Sequence, residues 1–465
     1  MAHAHVRLGL RPYQVRALGR LDERIVAGVR RVLLVAPTGS GKTTVAAAII
    51  ARAVDRGERV LFLAHRRELI DQAYARVLGA GLVESEVGVL MANDGRRRPG
   101  AAVQVASIDT LRQRAHPRAD VVFIDEAHRA LSASYRKISA AYPHALHIGL
   151  TATPYRADGK GLGDAYDELI VVASPRELIA EGYLVEPRIF TVPRERRPDL
   201  RRVRVKAGDY SARELEEAVD RQGLVGNIVE HWQRHAPRVR TICFAVSVAH
   251  SKHIVERFVA AGVPAEHLDG GTETSERDAI LARLRDGRTL LVSNVGVLCE
   301  GTDIPPVKCA ILARPTKSAG LYLQQAGRIL RPWEDQQAII LDHGGCALEH
   351  GLPQDDREFT LESEPKRARR SGEPLARECP GCSAVVALGT RVCPACGLQL
   401  FADRELPTEI EEALEEVRAG EGVRNTPPTR CTVSVPAILR GALATGGRVA
   451  WSAFDARGQG VARAL

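Results

Sequence analysis

Short, largely apolar runs punctuate the first third of the chain, at 32–35, 60–63, 102–105, 121–124 and 147–150, with helical spacing between them. Their apolarity is continuous rather than alternating. That pattern marks strands buried on both faces, hence a parallel sheet covered by helices. The same texture returns at 241–246, 290–292, 310–312 and 338–341. The pattern predicts an α/β fold of two tandem parallel-sheet domains, over 1–190 and 225–350. A connector rich in Arg, Glu, Asp and Pro runs over 191–224. After the second domain come a basic linker over 351–375, a cysteine-bearing module over 376–400 and a tail over 401–465.

Composition changes this picture little. With 45% apolar and 26% charged residues in 465, the chain reads as ordinary globular protein. No apolar run reaches the roughly 18 residues of a membrane span. The first residues lack the charged-then-apolar order of a signal peptide, so a cytoplasmic setting is expected. A net charge of +8 suits a polyanionic partner, although 65 basic residues against 57 acidic ones is a mild excess, and the arginines are spread along the chain.

The first stretch with chemistry is Ala36-Pro37-Thr38-Gly39-Ser40-Gly41-Lys42-Thr43, between the apolar run 32–35 and a helix opening at Thr44. Strand, glycine turn, Gly-Lys-Thr and helix form a phosphate-binding loop in its required context. Small residues let backbone N–H groups wrap a polyphosphate, and the helix N-terminus adds positive potential. Lys42 can reach the terminal phosphates, and Thr43 can take one Mg²⁺ position. A plain Gly/Ser turn between core elements would not need this context on both sides. The implied ligand is a nucleoside triphosphate. Directly after the run 121–124 stands Asp125-Glu126-Ala127-His128. A carboxylate at a strand's carboxyl end lies where open α/β sheets bind ligands, so Asp125 can hold Mg²⁺ and Glu126 can deprotonate an attacking water.

Asp-Glu-Ala-His behind such a loop resembles the DEAD/DEAH-box helicases of superfamily two, and further motifs follow in the family's order. Leu10-Arg11-Pro12-Tyr13-Gln14 resembles the glutamine motif, which implies that Gln14 reads the adenine edge. The stretches 64–69 and 106–111 stand where the family contacts nucleic-acid backbone, and Gly149-Leu150-Thr151-Ala152-Thr153-Pro154 matches its coupling motif. Residues 244–251, Val292 to Pro305 and Gln324-Gln325-Ala326-Gly327-Arg328-Ile329-Leu330-Arg331 resemble its fourth, fifth and sixth motifs. The resemblance covers roughly 8–345, with Ala36 where Gly is common and Ser293 where Thr is common.

It implies two RecA-like domains with ATP and Mg²⁺ between them. Thr38, Gly39, Ser40, Gly41, Lys42, Thr43, Thr44, Asp303 and Gln324 would bind the nucleotide. Lys42, Asp125, Glu126, Arg328 and Arg331 would be catalytic, the two arginines acting as fingers three apart on one helix face. His128, Thr151 and Thr153 would couple hydrolysis to movement. Arg66, Ser107, Thr151, Glu300, Gly301 and Thr302 would touch nucleic acid. Tyr155-Arg156-Ala157-Asp158-Gly159 resembles DNA translocases of the superfamily, including restriction-type motor subunits and repair helicases, which favours DNA. The expectation is an ATP-dependent DNA helicase or translocase working as a monomer. An RNA helicase, or an ATP-gated clamp with little turnover, is the alternative.

Cys379, Cys382, Cys393 and Cys396 give C-x₂-C-x₁₀-C-x₂-C, two knuckles that can offer four thiolates to one tetrahedral centre. Four sulfurs leave no open position, so a structural Zn²⁺ is expected. This ribbon or the tail could also meet a protein partner. The other five cysteines are scattered and read as thiols.

Overall fold

The structure, a computed structural model, describes residues 9–154, 159–192, 197–206, 208–220, 226–299, 301, 304–362, 375–400, 449–454 and 460–464. The first sheet contains β1 (Arg31–Val35), β2 (Val60–Ala64), β3 (Val87–Leu90), β4 (Val103–Ser107), β5 (Val121–Asp125), β6 (Leu146–Thr151) and β7 (Glu168–Val171). They lie in the order β3-β4-β2-β5-β6-β1-β7, every pairing parallel. Helices α1 (Pro12–Val26), α2 (Lys42–Asp55), α3 (Arg67–Gly79), α4 (Ile108–Leu111), α5 (Ala133–Ala140) and α6 (Pro175–Ala180) accompany them. The unbroken apolar runs are buried as their texture requires: β2 and β5 are buried at every position. Pro12 fits the first turn of α1, where no helical partner exists for an N–H.

The second sheet contains β8 (Arg188–Thr191), β11 (Thr241–Phe244), β12 (Ala265–Leu268), β13 (Leu291–Asn294), β14 (Cys309–Leu312) and β15 (Ile339–Asp342), in the parallel order β12-β13-β11-β14-β15-β8. Its helices are α8 (Gly226–His235), α9 (Val248–Ala260), α10 (Thr274–Asp286), α11 (Ala319–Ala326) and α12 (Cys346–His350). Between β8 and α8 lie a small ladder, β9 (Val205–Lys206) with β10 (Asp209–Tyr210), and α7 (Ala212–Asp220). The two parallel-sheet domains are as expected. The boundary at 190 is not where the sheets divide, because it cuts β8, which pairs with β15.

Two later segments depart from the sequence reading. The start of the expected linker is a packed strap. Gly163 N donates to the Leu361 carbonyl (2.8 Å), Phe359 and Leu361 pack on the first domain's core, and Arg176 pairs with Asp355 and Asp356. Its basic run, 366–370, lies outside the described residues. The cysteine module forms the hairpin β16 (Ala376–Glu378) and β17 (Val385–Ala387). It continues the edge of the second sheet: Ala384 bridges Phe190, and Thr191 N donates to the Ser383 carbonyl (3.0 Å). Residues 403–465 form a separate compact unit. In it β18 (Val449–Phe454) and β19 (Gly460–Ala464) pair antiparallel. The rest of the tail lies outside the described residues. No described helix is long and apolar enough to cross a membrane.

Candidate nucleotide cleft and zinc module

β1 ends against β6, where Ala36 N donates to the Thr151 carbonyl (3.0 Å), and the chain then turns back into α2. The Pro37 carbonyl accepts from both the hydroxyl (2.7 Å) and the backbone N–H (3.2 Å) of Ser40. Gly39 and Gly41 sit at φ of 91° and 80°, the left-handed region. A Cβ on Gly41 would also lie 2.7 Å from Gln14 Nε2. Lys42 opens α2, and its Nζ donates to the Ala36 carbonyl (3.1 Å). Burial pushes its pKa down, and the nearby Glu126 and Asp125 carboxylates oppose that shift. Gln14 is buried against the loop. Its Oε1 accepts from Arg11 N (2.9 Å), and its Nε2 donates to the Ser40 carbonyl (3.2 Å), which also receives the Tyr13 hydroxyl. In this arrangement Gln14 braces the loop.

β5 delivers Asp125 and Glu126, both buried, to the cleft floor. Glu126 holds a left-handed backbone at φ 50°, a conformation a glutamate adopts only when its surroundings enforce it. Asp125 Oδ1 supplies one such constraint by accepting from Glu126 N (3.0 Å). His128 Nδ1 lies 3.4 Å from Glu126 Oε2, and Gln324 Nε2 of the second domain lies 3.5 Å from the same oxygen. Thr151 is wholly buried and donates its hydroxyl to the Thr153 carbonyl (2.6 Å). Thr153 Oγ1 in turn stands 3.0 Å from where a Gly320 Cβ would be, so the coupling motif abuts α11.

The two expected fingers do not share a helix face. α11 stops at Ala326, and Gly327 to Leu330 form a turn, so Arg328 and Arg331 leave helical register. The turn lies close against the phosphate loop, where only glycine fits: a Cβ on Gly327 would stand 2.5 Å from Thr38 Cβ. Both arginines still face the cleft. Arg328 Nε donates to the Gln324 carbonyl (3.3 Å), and the Arg331 stem packs beside Gly39. Burial, then the neighbouring Arg76 and Arg11, bring the Arg331 guanidinium down to about 10. The resulting cavity of about 350 Å³ is lined by Thr38, Gly39, Gly41 to Thr44, Asp125, Glu126, Gly301, Arg328 and Arg331. Leu69, Gln72 and Arg76 line it too, a stripe on α3 that its 3–4 spacing could have revealed.

The expected nucleic-acid residues do not form one surface among the described residues. Arg66 donates to the Gly296 (3.1 Å) and Val297 (3.2 Å) carbonyls of the second domain. Beside it Glu68 pairs with Arg277, and Gln72 donates to the Gly301 carbonyl. Ser107 is largely buried at the end of β4, and Thr151 is internal. Glu300, Thr302, Asp303 and residues 155–158 lie outside the described residues.

In the ribbon, Cys379 and Cys396 Sγ are 3.7 Å apart, as are Cys382 and Cys393 Sγ, and all four sulfurs lie within 4.8 Å of one another. A disulfide needs about 2.05 Å. Thiolates about 2.3 Å from a tetrahedral zinc stand about 3.8 Å apart. The donor set therefore fits Zn²⁺.

Residues 7–156 match the family described as "Type III restriction enzyme, res subunit", and residues 224–332 match the "Helicase conserved C-terminal domain". The chain belongs to the superfamily-two helicases. A 51.5 kDa protein of a Lactococcus phage is 33% identical, across 83% of this chain and 80% of that one. The Saccharomyces cerevisiae protein IRC3, a candidate ATP-dependent helicase, is 30% identical across 69% of this chain and 49% of its own length. The DNA 3'-5' translocase XPB2 of Sulfurisphaera tokodaii is 25% identical across 72% and 81%. Among solved structures, a fragment of a candidate type I restriction HsdR subunit from Vibrio vulnificus has a TM-score of 0.58 at 21% identity, covering 76% of this chain and 67% of that one. That likeness shows the two RecA-like sheets.

Proposed function

We propose that the chain is an ATP-dependent DNA helicase or translocase in which closing and opening of the cleft moves the two sheets along the strand. The observation that carries this is the meeting of both halves of a hydrolytic site. Lys42, Asp125 and Glu126 from the first sheet face Gln324, Arg328 and Arg331 from the second around one cavity. Cations converging from both sides of two carboxylates suit a polyanion, and phosphoryl transfer depends mainly on such positioning and charge.

Bound Mg²⁺, held through Thr43 and Asp125, would neutralise charge on the phosphates. Glu126 takes the proton of the attacking water, with Gln324 and His128 setting its carboxylate. Arg328 and Arg331 meet the charge that develops on the transferred group. Thr153, which abuts α11 at Gly320, and Thr151, bonded to it, pass the closure to the rest of the second domain. Both halves come from one chain, which supports action as a monomer. DNA as the track is supported by the restriction-subunit match and by the DNA translocase among the relatives. Zn²⁺ in the ribbon would serve structure, and Cys243, Cys309 and Cys346, buried and outside any disulfide among the described residues, suit the cytoplasm.

The test is the steady-state ATPase rate with no nucleic acid, duplex DNA, single-stranded DNA or single-stranded RNA. Stimulation by DNA is the expected outcome. Stimulation by RNA alone would overturn the choice of track, and ATP binding without turnover would overturn the motor.

A further inference from the structure

One buried charge has no place in the reading above. Lys308, immediately before β14, is wholly buried, and no carboxylate partners it among the described residues. Burial alone brings its ammonium down to about 8. A buried, unpaired cation is costly, and an apolar side chain would fill the space without that cost. What a lysine adds is a set of N–H donors on a fixed stem. Its Nζ donates to the carbonyls of Ile329 (3.1 Å) and Arg331. The carbonyl between them, Leu330 O, accepts from Val185 N (2.8 Å). Three consecutive carbonyls of the turn that carries Arg328 and Arg331 are thus gripped from outside. Within the turn the bonds are stretched, at 3.3 Å for Arg328 N to Gln325 O and 3.4 Å for Ile329 N to Ala326 O. The grip itself is rigid, because Lys308 N donates to the Arg240 carbonyl (3.1 Å) and Lys308 O accepts from Ile339 N (2.8 Å).

We propose that Lys308 is a positioning residue for hydrolysis: it fixes the finger turn so that Arg331 meets the γ-phosphate across the cleft. It touches no substrate and acts only through the backbone of Arg331. This assignment rests on the ATPase reading. Arginine offers the same carbonyls N–H donors, whereas methionine fills the space and offers none.

The test compares wild type, Lys308→Met, Lys308→Arg, Arg331→Ala and the double variant Lys308→Met/Arg331→Ala by DNA-stimulated turnover, KM for ATP and thermal unfolding. The expected result is a fall in kcat of about 10–100-fold for Lys308→Met with KM within about threefold, the size of a small misplacement. Lys308→Arg should recover part of it, and the double variant should be no slower than Arg331→Ala. Multiplying effects in the double variant would show a role independent of the finger and overturn the assignment. So would an unfolded Lys308→Met together with a Lys308→Arg that folds and turns ATP over no faster than Arg331→Ala. Unchanged kcat in Lys308→Met would overturn it while leaving the motor intact. Wild-type protein that never turns ATP over overturns both readings.

Discussion

The two walls of the cleft are held by different means. The phosphate loop is built mainly from its own residues, two left-handed glycines, a Ser40 hydroxyl on Pro37 and a helix that starts at Lys42, with Tyr13 and Gln14 of the same domain bracing the Ser40 carbonyl. The facing turn, 327–331, has little of its own. Its shape comes from Thr38 across the cleft, Lys308 ahead of β14 and Val185 ahead of β8. One wall is preorganised by local sequence and by contacts within its own domain, the other by long-range contacts, some of which cross the cleft. A site of this kind binds nucleotide with one wall and completes its chemistry only when the second is brought up to it. ATP binding and ATP turnover should therefore separate under mutation.

The largest separation is expected at the tip of the second wall. Arg331→Ala should lower nucleic-acid-stimulated turnover by about 10³-fold or more, the range of an arginine finger, with ATP still bound. Turnover within tenfold of wild type would remove Arg331 from the chemistry. Glu126→Gln is next. Losing a general base costs about 10²–10⁴-fold, and the amide keeps the shape of the cleft floor, so equilibrium binding of a fluorescent ATP analogue should stay near wild type. Normal hydrolysis by this variant would sink the general-base assignment.

The same contrast explains what could be read from sequence. The loop, the Asp125-Glu126 strand end and the cysteine knuckles are contiguous, with their chemistry in the spacing, and the structure places them in one cleft and one sulfur cluster. The continuous apolar runs became central strands for the same reason. Elements whose partners are remote were not visible. β12 reads Ala-Glu-His-Leu because it is a half-exposed edge strand, and β8 follows the first domain in sequence but completes the second sheet. Arg328 and Arg331 have helical spacing, yet Gly327 must approach Thr38, and the helix ends before them. Arg66 sits where the family contacts nucleic acid, and only the folded pair of domains shows it donating to Gly296 and Val297.

The cysteine module sharpens the comparison from outside the cleft. It extends the sheet edge beside β8, and Cys379 and Cys393 are buried in the second domain's core with Trp232 and Phe258. Val185, which holds Leu330, stands three residues ahead of that strand. Metal analysis should find one zinc per chain. Chelation, or Cys393→Ser, should destabilise the second domain by about 2–5 kcal/mol, comparable with truncating a buried leucine. Turnover should fall more than nucleotide binding, because the loosened wall is the second one. Equal loss of both would mean that the ribbon supports the whole cleft.

The smallest effect belongs to the rim, where Glu68 of α3 pairs with Arg277 of α10 across the domains. Both side chains are partly exposed, at 32% and 19%, so solvent screens the attraction and the coupling should be at most about 1 kcal/mol. A double-mutant cycle with Glu68→Gln and Arg277→Gln, read as kcat/KM at limiting DNA, measures it. The pair forms only when the walls meet, so its coupling should appear in turnover and be absent from ATP binding to the loop. Raising salt should shrink it, since exposed charges are screened within about 10 Å at 0.1 M. Coupling that appears equally in ATP binding would mean that the walls are already joined before nucleotide arrives. The second wall would then be as preorganised as the first, and turnover could no longer be gated by bringing it up.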